Sequence, residues 1–155
     1  ALALAEIVAL VEALPLIEVV KEETVPSPQK VAQLVAALGD RVRGVFGGQG
    51  GVAFFNEMAA GAVGTMPASQ FSDLYVQLWA HHSAGRATEA RALFGDMLPA
   101  LMMELGYGIP FKKECLRRRG VLPNARVRVG QPALEPRDHA ELDALWPGLA
   151  GHFRE

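Results

Sequence analysis

Lys21 closes the apolar run Leu16-Ile17-Glu18-Val19-Val20-Lys21, and Glu22-Glu23-Thr24 follow it. A lysine that leaves a buried strand at its C-terminal end stands where parallel β/α barrels hold their active sites, and there its amine can act as a nucleophile. Taken alone, a lysine after a strand is more often a surface residue. The glycine-rich turn Gly47-Gly48-Gln49-Gly50-Gly51 is the second feature with chemical potential. Its plain reading is a tight turn that opens a helix. A phosphate cradle would need a following Gly-Lys-Ser/Thr, which is absent.

The remaining constellations carry less. Lys112, Lys113, Arg117, Arg118 and Arg119, with Arg126 and Arg128 nearby, form the basic cluster. It reads as a solvated helix face whose cations suit a helix C-terminus, and it lacks the aromatics that would stack nucleic-acid bases. His81 and His82 are adjacent, so on a helix they point about 100° apart and do not share a metal ion. His139 and His152 have no partner at ligand spacing. No metal and no cofactor are expected. Cys115, the single cysteine, excludes an internal disulfide and points to a reducing cytoplasm. Cations beside it could activate it, but its place on a stripe with Phe111 favours a packed thiol.

The elements that must position these groups follow two periods. Residues 2–14 read as a helix ended by Pro15, and residues 16–20 as a buried strand. Ser27 is expected to cap a helix with Pro28 at its first position and an apolar stripe of Val31, Leu34, Val35 and Leu38. A strand over 42–46, a helix over 52–60 and a strand over 62–66 complete an αβαβαβ pattern with short connections, which predicts a parallel sheet. From Ser69, an expected N-cap, the text becomes helical. Helices are expected to Gly85, over 87–105 with a kink or break at Pro99, from Pro110 to Gly120, and over 137–146, with 123–136 irregular.

The chain has 155 residues, half of them apolar and 21% charged, with a net charge of −2. That describes a soluble globular protein with no electrostatic call on nucleic acid or an anionic membrane. Glu6, Glu12 and Glu18 interrupt the one stretch that could approach a membrane span, and the N-terminus lacks the basic start of a signal peptide. The sequence opens at Ala1 already inside a helical pattern, and the expectation is a truncated chain. Three strands do not close a barrel, which usually takes about 250 residues. The expected fold is α/β, and a partial (β/α)8 TIM barrel, the last three βα units, over residues 1–84, followed by a C-terminal helical region over 85–155, is favoured over a complete small layered domain built on an open three-strand sheet.

Four segments, in this order and spacing, resemble the dihydrodipicolinate synthase and N-acetylneuraminate lyase family. Val19-Val20-Lys21-Glu22 is similar to its strand-six signature and Gly47-Gly48 to the end of strand seven. Gly61-Ala62-Val63-Gly64-Thr65-Met66 resembles strand eight, and Gly108-Ile109-Pro110-Phe111-Lys112 the start of the trailing helices. The resemblance implies that Lys21 forms a Schiff base with pyruvate or another 2-keto acid, a step that needs a neutral amine, which a dry interior favours. It also implies that Gly48 is a backbone position beside the substrate and that Met66 is an apolar residue packing near the pyruvyl part. A homo-oligomer, dimer or tetramer, is implied for the full-length protein.

Gln49-Gly50-Gly51 stand where sialate lyases carry acidic residues, and the acidic pair common in the lysine-biosynthetic enzymes is missing. The closest resemblance is to members that dehydrate 2-keto-3-deoxy sugar acids. The family's proton-shuttling tyrosine and carboxylate-binding threonine turn lie on strands this sequence lacks; Tyr75 and Tyr107 fall on helices and read as packing residues. The isolated chain is expected to be inactive. Two readings stand: the lysine-bearing part of a Schiff-base lyase, by aldol cleavage or dehydration, or a noncatalytic association module or degenerate relative with no Schiff-base activity.

Overall fold

The structure, a computed structural model, describes residues 1–128 and 130–153. Its contacts divide it into two compact units, the first Ala1–Pro67 and the second from Ala68 onward. The expected irregular stretch 123–136 contains position 129, which lies outside the described residues.

In the first unit, α1 (Leu4–Ala13) leads to β1 (Val19–Lys21), α2 (Ser27–Leu38) to β2 (Gly44–Gly47), and α3 (Phe54–Ala59) to β3 (Gly64–Thr65). The strands form one parallel sheet in the order β1-β2-β3, with Lys21 opposite Phe46 and Gly47 opposite Thr65. This is the partial barrel of the sequence reading, three βα units rather than a closed sheet. The three strands begin about two to three residues later than their apolar runs suggest. Leu16 is 95% exposed, and the ladder starts only where the Arg43 amide reaches the Glu18 carbonyl at 2.7 Å. Apolarity located the strands; backbone pairing fixed their ends.

Alternation decides the two faces of this sheet. Val45 and Val20 pack with Val31, Leu34 and Leu38 of α2 and Val11 of α1, so they face the helices. Val19 and Lys21 therefore point to the other face, away from α2, and both are substantially exposed, at 42% for Val19 and 38% for the Lys21 side chain. The aliphatic stripe of α2 anchors one side of β1 and β2, and that anchoring is what turns the lysine outward from the helix layer.

The second unit is helical: α4 (Ser72–Ser83), α5 (Ala87–Tyr107), α6 (Ile109–Arg118) and α7 (Pro136–Ala150). Helix α5 runs as one element through Pro99 and packs on α4, α6 and α7 around buried Leu74, Leu78, Met97, Leu101, Phe111 and Leu142. Ser69 does not cap a helix directly; Ser69–Phe71 forms a single 3-10 turn before α4. The basic cluster is not a freely solvated face. Arg117 and Arg118 bind Glu114, Arg118 also meets Asp143 at 2.6 Å, and Arg119 grips Asp73 through both nitrogens at 2.9 and 2.7 Å. Arg118 and Arg119 also stack over the rings of Trp146 and Phe153.

Cys115 is fully buried, and burial pushes its thiol up to about 12, so it is inert as expected. Tyr75 is buried, whereas Tyr107 is 39% exposed and donates to Asp138 at 2.7 Å, a tether between α5 and α7 rather than core packing. Among the described residues no helix is long and apolar enough to cross a membrane, and no three metal-ligating side chains converge.

Candidate active site at the lysine strand

Lys21 is the last residue of β1, and the ladder continues one step beyond it, with the Glu22 amide donating to the Phe46 carbonyl at 2.8 Å. Continued extension places residue 23 on the same face as residue 21. Glu23 indeed stands beside the amine, its Oε1 3.0 Å from Lys21 Nζ. The same oxygen accepts the Gln49 backbone amide at 2.8 Å, while the Gln49 side-chain amide donates to the Glu23 carbonyl at 2.6 Å. Glu23 is thus held by the turn that follows β2.

That turn is conformationally special. Gly50 and Gly51 have φ of 66° and 82°, a region that glycine enters without penalty. Gln49 has φ of 52°, unusual for a residue with a side chain, and its two contacts with Glu23 hold it there. Gly48 cannot carry a side chain in this arrangement, because an added Cβ would overlap the Glu23 side chain. Met66 follows β3, and its amide donates to the Gly47 carbonyl at 2.9 Å, extending the ladder. Lys21, Gly48 and Met66 therefore stand at the C-terminal ends of three adjacent parallel strands, the edge where such sheets place their ligands.

Two further carboxyls sit behind this edge. Glu22 is 3% exposed, takes the Thr24 amide at 2.5 Å and the Thr24 hydroxyl, and pairs with Lys30 at 3.3 Å. Burial alone would raise its pKa; the Thr24 and Lys30 contacts outweigh that and lower it. Glu57 of α3 is fully buried and accepts the Ser27 hydroxyl at 2.5 Å. Ser27 is thus not the N-cap the sequence suggested: its hydroxyl serves Glu57, and the helix begins at Ser27 itself after Pro26. Burial raises the pKa of Glu57, against the opposing Ser27 and Gly48 hydrogen bonds.

Sequence reasoning named Lys21, Gly48 and Met66 but missed Glu23, Gln49 and Glu57. Glu23 was legible, since period-two alternation from Lys21 selects it. Gln49 and Glu57 were not, because their roles depend on long-range packing of the β2 turn and α3.

The comparisons with known proteins bear on the family and the fold. No family model matches the chain. L-2-keto-3-deoxyarabonate dehydratase of Azospirillum brasilense is 30% identical over 126 residues, covering 81% of this chain and 41% of that protein. The structure of dihydrodipicolinate synthase from Rhodopseudomonas palustris superposes with a TM-score of 0.85 at 27% identity, over 96% of this chain and 51% of that one. The chain is a relative of the dihydrodipicolinate synthase family. The Aquifex aeolicus dihydrodipicolinate synthase, 20% identical, shares the fold with a TM-score of 0.78 over 99% of this chain and 52% of its own. The chain thus spans about half the length, or less, of these relatives.

Proposed function

We propose that this chain supplies the lysine-bearing part of a longer Schiff-base lyase acting on 2-keto acids, and that the reaction is dehydration of a 2-keto-3-deoxy sugar acid. The observation that carries this is the Lys21 amine, on the face of the sheet turned from α2, with the Glu23 carboxylate 3.0 Å away. Lys21 Nζ bonds to the keto carbon, and the keto oxygen leaves as water. The resulting iminium draws electrons from the adjacent carbon, so a proton leaves there and the β-hydroxyl departs as a second water. Hydrolysis of the imine then frees the product and regenerates the amine. A carboxylate in contact with the amine can take its proton during attack and return it to a departing oxygen. Gly48 leaves the backbone open beside the amine, and Met66 supplies an apolar wall for the pyruvyl part.

The dehydration step rests on the absence of acidic residues at Gln49-Gly50-Gly51 and on the similarity to the Azospirillum enzyme. Incubating the protein that contains this chain with a 2-keto-3-deoxy sugar acid separates the outcomes. Loss of one water without release of pyruvate is expected; pyruvate with an aldehyde would make it an aldolase. Failure of any 2-keto acid to give a borohydride-stable adduct would leave the noncatalytic association module as the reading.

A further inference from the structure

Glu57 packs against Gly47 and is the most completely enclosed carboxyl in the first unit, with no exposure at all. Its position is built. An added Cβ on Gly47 would overlap the Glu57 carboxylate, so the missing side chain at Gly47 provides the slot that the carboxyl fills. One oxygen takes the Ser27 hydroxyl at 2.5 Å from the first residue of α2. The Gly48 backbone amide is also directed to this carboxyl. The second oxygen, Oε2, has no partner, and neither has the equally buried hydroxyl of Thr65. Thr65 is the cross-strand partner of Gly47, and residues opposite one another in a parallel pair share a face. Two unpartnered polar atoms therefore lie on the helix-facing side of the β2 and β3 ends. Protein interiors rarely retain such atoms without a role.

The carboxyl thus fastens the residues just before the turn to the start of α2, and the next residue, Gln49, holds Glu23 through two hydrogen bonds. We infer that Glu57 is a positioning residue for the lysine site: it sets the Gly48-Gln49 backbone, which fixes Glu23 against Lys21. This rests on the reading of Lys21 and Glu23 as the reacting pair. Glu57 acts through Gln49 and touches no substrate.

The test measures borohydride trapping of pyruvate in the protein containing this chain, with Glu57→Ala, Glu57→Gln and Gln49→Ala singly and Glu57→Ala with Gln49→Ala combined. Glu57→Ala is expected to slow trapping at least about tenfold, as misplacement of a reacting group does. Glu57→Gln keeps an acceptor for the Ser27 hydroxyl, so it restores trapping. The Glu57 and Gln49 effects should not add, because both act through one contact chain. Should Glu57→Ala fail to fold, Glu57→Asp, which withdraws the carboxyl by one methylene, should show the same loss. Unchanged trapping in a folded variant, or additive losses, would overturn the inference. If the parent protein itself forms no adduct, the Schiff-base reading fails, and amide hydrogen exchange at Gln49 decides the positioning role independently. Faster exchange in Glu57→Ala than in Glu57→Gln supports it, and equal exchange rejects it.

Discussion

Each unit of this protein encloses glutamates, and two of them, Glu114 and Glu57, are treated in opposite ways. Glu114 in the helical unit is held down to about 2, chiefly by its hydrogen bonds from Arg117, with Arg118 adding to the effect against burial. Glu57 in the sheet unit has no cation on it, burial raises its pKa, and one of its oxygens is left unpartnered. The first is a charge neutralised by two arginines of its own helix, one of which reaches on to Asp143 of α7. The second is a polar group placed under a strained turn, where it organises the residues around Lys21 rather than the core. Buried charge in a helical bundle needs partners to fold; buried polarity behind an active-site edge is tolerated for what it holds in place.

The largest effect that sharpens this contrast lies in the helical unit. Phe111 is fully buried and meets Phe71 edge-on at 6.4 Å, so Phe111→Ala should destabilise that unit by about 3–5 kcal/mol in denaturant unfolding. Gly48→Ala comes next. Its methyl group displaces Glu23, and trapping of pyruvate at Lys21 should fall about 100-fold with little change in melting temperature. Equal losses of stability and trapping would show that the turn is structural and dissolve the contrast.

Glu114→Gln should cost about 2 kcal/mol by weakening charged hydrogen bonds to Arg117 and Arg118. The pH dependence then separates the two carboxyls. Glu114 has a lowered value, so its contribution is present above its ordinary 4.5 and is lost as pH falls toward about 2. Glu57 has a raised value, so its contribution is full below 4.5 and is lost as pH rises through the raised value. Hydrogen exchange in the sheet unit, compared between the parent protein and Glu57→Gln, should show that opposite slope and its removal. The smallest effect is Tyr107→Phe, about 1 kcal/mol from the lost hydrogen bond to Asp138.

The sequence carried the order of elements and the parallel sheet because the apolar stripe of α2 and the valines of β1 and β2 are local, periodic signals. It carried Lys21 through strand polarity, and Glu23 was within reach of the same alternation. It misplaced the strand starts, since hydrogen-bond registers such as Arg43 to Glu18 are set between segments. Ser27 followed a sound local rule and lost to a tertiary partner, Glu57, 30 residues away. Arg118 and Arg119 looked solvated because their partners Asp143 and Asp73 lie far off in sequence and only packing brings them near.

Lys21 is the residue on which the proposed chemistry depends, and the direct measurement is peptide mapping of the pyruvate adduct after borohydride reduction. The protein should carry one reduced adduct, on the peptide containing Lys21, and Lys21→Ala should carry none. An adduct on Lys30 or Lys112, or persistence of the label in Lys21→Ala, would place the nucleophile elsewhere and contradict the role assigned to Glu23 and the turn that holds it.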